Sequence, residues 1–160
     1  MYYVIAVITV LIIIFLPRIG LFALFKSYQA AKEREQVEDA LKHLLDRENQ
    51  ARHATPESIG GTLDMPRDKV TRLIEHMETQ GLLESLGNEL RLTASGERWA
   101  LHVVRAHRLW ERYLADEARM PLNQIHGEAQ KREHSLTEAQ LNELDAALGH
   151  PTRDPHGDPI

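Results

Sequence analysis

The sequence predicts a mainly α-helical protein: an N-terminal transmembrane helix, a winged helix-turn-helix with a small β-hairpin wing, then a second helical domain. Three observations carry this prediction. Residues 1–16 hold no charge, and apolar residues recur at helical spacing from residue 29 to residue 148. The exception is a pair of short alternating runs joined at Gly87-Asn88. The chain has 160 residues, a formal net charge of -5, nine histidines and no cysteine. Without cysteine there is no disulfide framework, thiolate zinc finger, iron-sulfur cluster or thiol nucleophile, so a metal would be held by oxygen and imidazole nitrogen.

As a helix, residues 1–16 would reach about 24 Å, short of the roughly 30 Å hydrocarbon core of a bilayer. Residues 19–25 resume the apolar run after Pro17-Arg18 and complete a span. Arg18 is placed to snorkel, and Tyr2 and Tyr3 suit an interface. A cleaved signal would need a basic start and a small-residue exit, where this chain has Met1-Tyr2-Tyr3 and Pro17-Arg18-Ile19-Gly20. Arg18, Lys26, Lys32 and Arg34 all follow the run, so the positive-inside bias predicts a single-pass membrane protein with its C-terminal part in the bacterial cytoplasm.

Residues 29–49 read as a helix with Val37, Leu41, Leu44 and Leu45 on one face. Thr55-Pro56-Glu57 opens a short helix as cap, first-turn proline and acid. Asp64-Met65-Pro66 repeats that grammar for a helix to Gln80 that buries Val70, Leu73, Ile74 and Met77 and stops at Gly81. The hairpin follows, giving the winged-helix order. A long helix then runs from residue 93 to about 120 with a stripe of Trp99, Val103, Ala106, Trp110 and Leu114, of which Trp99, Val103 and Trp110 are read as offering a dimerisation face. Pro121 and Asn123 start the next helix, which ends near His134, and Ser135 to Glu138 is read as a capping box for the last. Residues 151–160, with three prolines, are predicted irregular. The domain boundaries predicted are 1–26 (anchor), 27–94 (winged helix), 95–150 (helical domain) and 151–160 (tail).

Chemistry concentrates on two stripes. His126, Gln130, Glu133 and His134 fall at i, i+4, i+7 and i+8, one face of a helix, and two imidazoles, a carboxylate and an amide make a poor core face. His107 and Glu111 stand one turn apart on the preceding helix, and Asp39 offers a further oxygen. The plain alternative for any one pair is a solvated helix face. The other histidines, including His156, read as surface or tail residues.

These residues resemble a known family. His126-Gly127-Glu128-Ala129-Gln130-Lys131-Arg132-Glu133-His134 is similar to the H-x-E-A-x-x-x-E-H motif of the diphtheria toxin repressor and manganese transport regulator family of metal-dependent repressors. Val37-Glu38-Asp39-Ala40-Leu41, Leu92-Thr93-Ala94-Ser95-Gly96, His107-Arg108-Leu109-Trp110-Glu111 and the Pro155 to Ile160 exit resemble further segments of that family, over about residues 36–160. The resemblance implies a primary metal site on Asp39, Gln130, Glu133 and His134, and an ancillary one on His107, Glu111 and His126. Gln130 stands where relatives carry Cys or Glu, and Lys42 where manganese-type members often carry Glu. It implies Mn(2+) or Fe(2+) as the metal, a homodimer, and double-stranded operator DNA read by Pro66, Lys69, Thr71 and Arg72, with Arg67 near phosphate. Against this, residues 51–92 carry five Lys/Arg and seven Asp/Glu, a local charge of -2 where a DNA footprint should be positive.

Phe15-Leu16-Pro17-Arg18-Ile19-Gly20-Leu21-Phe22 also resembles the last membrane helix of manganese, zinc or iron ABC-transporter permeases. Two functions are therefore expected. One is a membrane-tethered, metal-dependent transcription regulator of metal-ion homeostasis. The other is a cytoplasmic metal-sensing module of a metal-ion ABC transporter, the tail of a split or truncated permease, that does not bind DNA. An enzyme is disfavoured, since no general base is separable from the candidate ligands.

Overall fold

The computed structural model describes residues 2–3 and 20–160. The chain forms two compact units, residues 1–36 and 37–160, and the second carries every candidate site residue. It is mainly helical with one two-stranded antiparallel sheet, as the periodicities predict.

The membrane expectation is corrected. Among the described residues no helix is long and apolar enough to cross a membrane, and the predicted single-pass localisation falls with that finding. Residues 4–19 of the expected span lie outside the described residues. Its end opens helix α1 (Leu21–Asn49), which carries on through Lys26, Lys32 and Arg34 as one charged helix.

Within the second unit, α1 buries Val37, Ala40, Leu41, Leu44 and Leu45. Helix α2 (Pro56–Leu63) starts on a reciprocal capping box, in which Thr55 accepts from Ser58 N and Ser58 accepts from Thr55 N. Asp64 does not open the next helix as predicted. It closes α2 in the left-handed region (φ 50°), a conformation its short polar side chain tolerates, and α3 (Arg67–Thr79) begins on Pro66 without a side-chain cap. Val70, Leu73, Ile74 and Met77 of α3 are buried as the stripe predicts. Gly81 (φ +67°) ends the helix, with Leu82 N donating to Met77 O at 2.9 Å and Gly81 N to Glu78 O at 2.8 Å, the Schellman pattern.

Strand β1 (Leu83–Leu86) pairs with β2 (Glu89–Leu92) around a two-residue turn at Gly87-Asn88. Thr93 locks the exit of this hairpin: its hydroxyl donates to Gly81 O at 2.6 Å and accepts from Gly96 N at 3.1 Å. Gly96 sits so close to the hairpin that a β-carbon there would lie 1.9 Å from Leu82 O. Gly96→Ala is therefore expected to destabilise the chain by about 1–3 kcal/mol, the range for overpacking. A thermal midpoint equal to wild type would contradict that packing.

Helix α4 (Ala94–Asp116) runs through both parts of the unit. Trp99 packs against the winged-helix core and Val103 is buried, while Trp110 packs with Leu114, Ile125 and Ala129, its ring 5.3 Å from the Arg132 guanidinium. Of the residues read as a dimer face, Val103 is thus buried within its own chain, and Trp99 and Trp110 are partly buried there. Helix α5 (Leu122–Arg132) stops earlier than predicted and passes into a 3-10 turn, Glu133–Ser135. Helix α6 (Glu138–Ala147) is capped by Thr137 with Gln140, not by the Ser135 box. Its Leu141 packs with Ala106 and Leu109 of α4.

A histidine clasps the helix-turn-helix. His43 of α1 lies 2.9 Å from Ser58 Oγ and 3.1 Å from Thr62 Oγ1. Burial, aided by Arg47 and opposed by Asp46, holds its pKa below the ordinary 6.5. A histidine depressed in the folded state loses stability as pH falls, because below about 6.5 the unfolded chain takes the proton first. His43→Gln should flatten the fall in thermal midpoint between pH 7 and pH 5; an identical fall would exclude His43 as its source.

Candidate metal centre

Two clusters of imidazole and carboxylate groups meet in the helical part. The first is built by α4 and α5. His107 and Glu111, one turn apart and both buried, place Nε2 and Oε1 3.1 Å from each other. His126 of α5 brings Nδ1 to 3.1 Å from His107 Nε2 and 3.0 Å from Glu111 Oε1. The other nitrogen of His107, Nδ1, donates to Glu133 Oε2. A neutral His107 whose proton is spent there leaves a lone pair on Nε2, facing a carboxylate oxygen and a second imidazole nitrogen. Such a convergence is satisfied only by a proton or a cation among the three atoms.

The tail supplies a fourth group. Residues 151–160 form no helix or strand, yet they are held in place: Arg153 bridges Pro159, Ile160 N donates to Thr152 O at 3.1 Å, and Arg108 donates to Pro159 O. The buried Asp154 carboxylate accepts from His156 N at 2.8 Å and Asp158 N at 2.9 Å, folding a tight turn. That turn carries His156 Nε2 to 3.7 Å from Glu111 Oε1.

The second cluster joins α1 to the 3-10 turn. His134 Nε2 lies 3.5 Å from both Asp39 Oδ1 and Glu133 Oε1, and its Nδ1 donates to Glu38 Oε2 at 2.6 Å. Lys42 Nζ binds Glu133 Oε1 directly. Burial pushes the Glu133 carboxyl upward, but the His107 hydrogen bond and the Lys42 charge outweigh it and hold the pKa below the ordinary value. For His134, burial lowers the pKa, and the Glu38 hydrogen bond with the charges of Glu133 and Asp39 outweighs it, leaving the pKa raised.

The predicted four-residue face is thus divided. His126 joins the first cluster, Glu133 and His134 the second, and Gln130 is exposed with no side-chain hydrogen bond among the described residues. The cause is the break at Arg132: a 3-10 turn has three residues per turn, so the phase linking 130 to 133 and 134 is lost. Sequence reasoning missed Glu38 and His156. Glu38 was detectable, since it shares the buried face with Leu41 and Leu45 at i, i+3 and i+7. His156 was not, because a turn and not a helical period positions it.

On the winged helix, Pro66, Arg67, Lys69, Thr71 and Arg72 are all exposed, opposite the buried face of α3. Arg72 is held by Asp68 at 2.7 Å, and Thr71 Oγ1 donates to Arg67 O at 3.0 Å.

The chain thus sets a winged helix ahead of helices that gather imidazole and carboxylate groups. Residues 93–160 match the family described as iron dependent repressor, metal binding and dimerisation domain. The chain is 34% identical over 127 residues to the iron-dependent repressor IdeR of Mycobacterium leprae, across 79% of this chain and 55% of that protein. It superposes on a solved manganese-dependent transcriptional repressor in complex with manganese with a TM-score of 0.70 and 32% identity, covering 78% of this chain and 57% of the other. A shorter match, 39% identical over 80 residues, is to a probable metal transport system membrane protein of Chlamydia trachomatis, covering 50% of this chain and 17% of that one. These matches make the chain similar, over residues 93–160 and over about four fifths of its length, to iron- and manganese-dependent repressors. The chain spans about half the length of the repressors it matches.

Proposed function

We propose that the chain is a metal-responsive transcription regulator that binds duplex DNA as a homodimer and takes Fe(2+) or Mn(2+) at the first cluster. The observation that carries this reading is the meeting of His107 Nε2, Glu111 Oε1 and His126 Nδ1 at 3.0 to 3.1 Å. Divalent ions with ligands at about 2.1 Å hold neighbouring ligands about 3 Å apart in octahedral geometry. The cluster therefore fits such an ion, and an oxygen-and-imidazole set suits manganese or iron. His156 approaches as a fourth ligand. A divalent cation there would supply positive charge that satisfies the converging lone pairs and joins α4, α5 and the tail.

Glu133 acts on this site from behind. A carboxylate on the far nitrogen of a ligating histidine fixes its tautomer and ring orientation, and Glu133 stands so to His107. The Asp39, Glu133 and His134 cluster is proposed as a second, weaker position. Lys42 already places a positive charge on Glu133, and Gln130 does not join it. Calorimetric titration of the chain with Mn(2+) should show one tight ion per chain, and Lys42→Glu should strengthen a second. The absence of any binding heat or displacement signal would end this reading.

The similarity to a metal transport membrane protein favours one alternative, in which the same metal-sensing fold regulates a transporter without DNA. It gains if metal binds while no DNA does.

A further inference from the structure

Glu38 carries no ligand role above, yet it is 1% exposed and both of its carboxylate oxygens are engaged by donors. Trp99 Nε1 donates to Oε1 at 3.1 Å, and His134 Nδ1 donates to Oε2 at 2.6 Å. These three side chains come from three elements: α1, the first turns of α4 just after the wing, and the 3-10 turn.

A carboxylate can only accept, so its contact with Nδ1 requires the proton on that nitrogen. The neutral ring then presents a bare Nε2, and Nε2 is the atom that faces Asp39 Oδ1 and Glu133 Oε1. Trp99 holds the other oxygen of Glu38 in place and itself packs against the winged-helix core. Rotation of the His134 ring would pull on a carboxylate that the indole also grips.

We propose that Glu38 is a positioning residue that locks His134 in its Nδ1–H tautomer with Nε2 turned toward Asp39 and Glu133, and that the shared carboxylate transmits the state of His134 to Trp99. Only the affinity readout below rests on the proposed metal reading. The tautomer readout needs no metal, so the two fail separately.

Glu38→Gln is the discriminating variant. Glutamine keeps the shape but has one acceptor oxygen, so its NH2 must face either the Trp99 N–H, a donor against a donor, or His134 Nδ1. The second arrangement is accommodated if the His134 proton moves to Nε2.

Nitrogen NMR of the metal-free full chain, at a pH where His134 is neutral, should find it protonated on Nδ1 and the Trp99 indole N–H shifted downfield. In Glu38→Gln either the tautomer reverses or the indole signal returns to its unbonded position. Trp99→Phe should leave the tautomer as in wild type. Removal of an outer partner typically costs about 10–100-fold in metal affinity, and Glu38→Gln should lose that much Mn(2+) affinity at the weaker position. A wild-type His134 protonated on Nε2 would overturn the proposal without any variant. So would a folded Glu38→Gln with the wild-type tautomer and indole shift.

Discussion

Glu111→Ala is expected to abolish tight Mn(2+) binding by the first cluster. Glu111 Oε1 is the common contact of that cluster: it faces His107 Nε2 at 3.1 Å, His126 Nδ1 at 3.0 Å and His156 Nε2 at 3.7 Å. It is also the only anionic donor among them, so its removal leaves neutral imidazoles to hold a divalent ion. The loss should exceed the roughly 10–100-fold that follows removal of a partner one shell out. His126→Ala should weaken binding strongly, His156→Ala less, since its ring stands further off. Gln130→Ala should change nothing, because that side chain is exposed and outside both clusters. Calorimetry on each variant, with circular dichroism to establish folding, checks the series. Wild-type affinity in Glu111→Ala would remove the ligand assignment.

What was legible in the sequence is what local rules control. Thr55, Gly81, Thr93 and the Gly87-Asn88 turn each act within a few residues, and the structure uses each as a cap, stop or turn where predicted. His107 and Glu111 were legible for the same reason, since one helical turn relates them. The reading failed where the backbone changed period. Extending α5 through residue 134 put Gln130, Glu133 and His134 on one face, but the helix ends at Arg132 and the side chains part.

It also failed where a polar residue belongs to the buried face. Glu38 was not singled out, and the donors that make its burial tolerable, Trp99 and His134, lie 61 and 96 residues away. The stripe of Trp99, Val103 and Trp110 packs at least in part within its own chain, and nothing in a linear pattern tells an intramolecular neighbour from an intermolecular one.

Duplex DNA from upstream of the gene is expected to bind the chain more tightly with Mn(2+) than without. His107 links the first cluster to α1: its Nε2 faces that cluster, while its Nδ1 holds Glu133, which in turn holds Lys42 of α1. α1 packs Leu41 and Leu44 into the same core as Val70 and Met77 of α3, so a constraint on His107 bears on the helix that carries Lys69 and Arg72. A ligand shifts such an equilibrium only by its differential affinity for the two states, and typical couplings of about 1–3 kcal/mol correspond to about 5- to 150-fold in DNA affinity.

Residues 51–92 have a local charge of -2, so DNA binding would depend on Arg67, Lys69 and Arg72 concentrated on one exposed face. Arg72 must exchange its Asp68 partner for DNA. Arg72→Ala and Lys69→Ala should each weaken binding, and affinity should fall steeply with salt as phosphate contacts release counterions. Fluorescence anisotropy with labelled duplexes measures both effects. If metal binds but no upstream fragment shows a metal-dependent shift even at low salt, the exposed face of α3 is a protein-docking surface, and the transporter-module reading takes the place of the regulator.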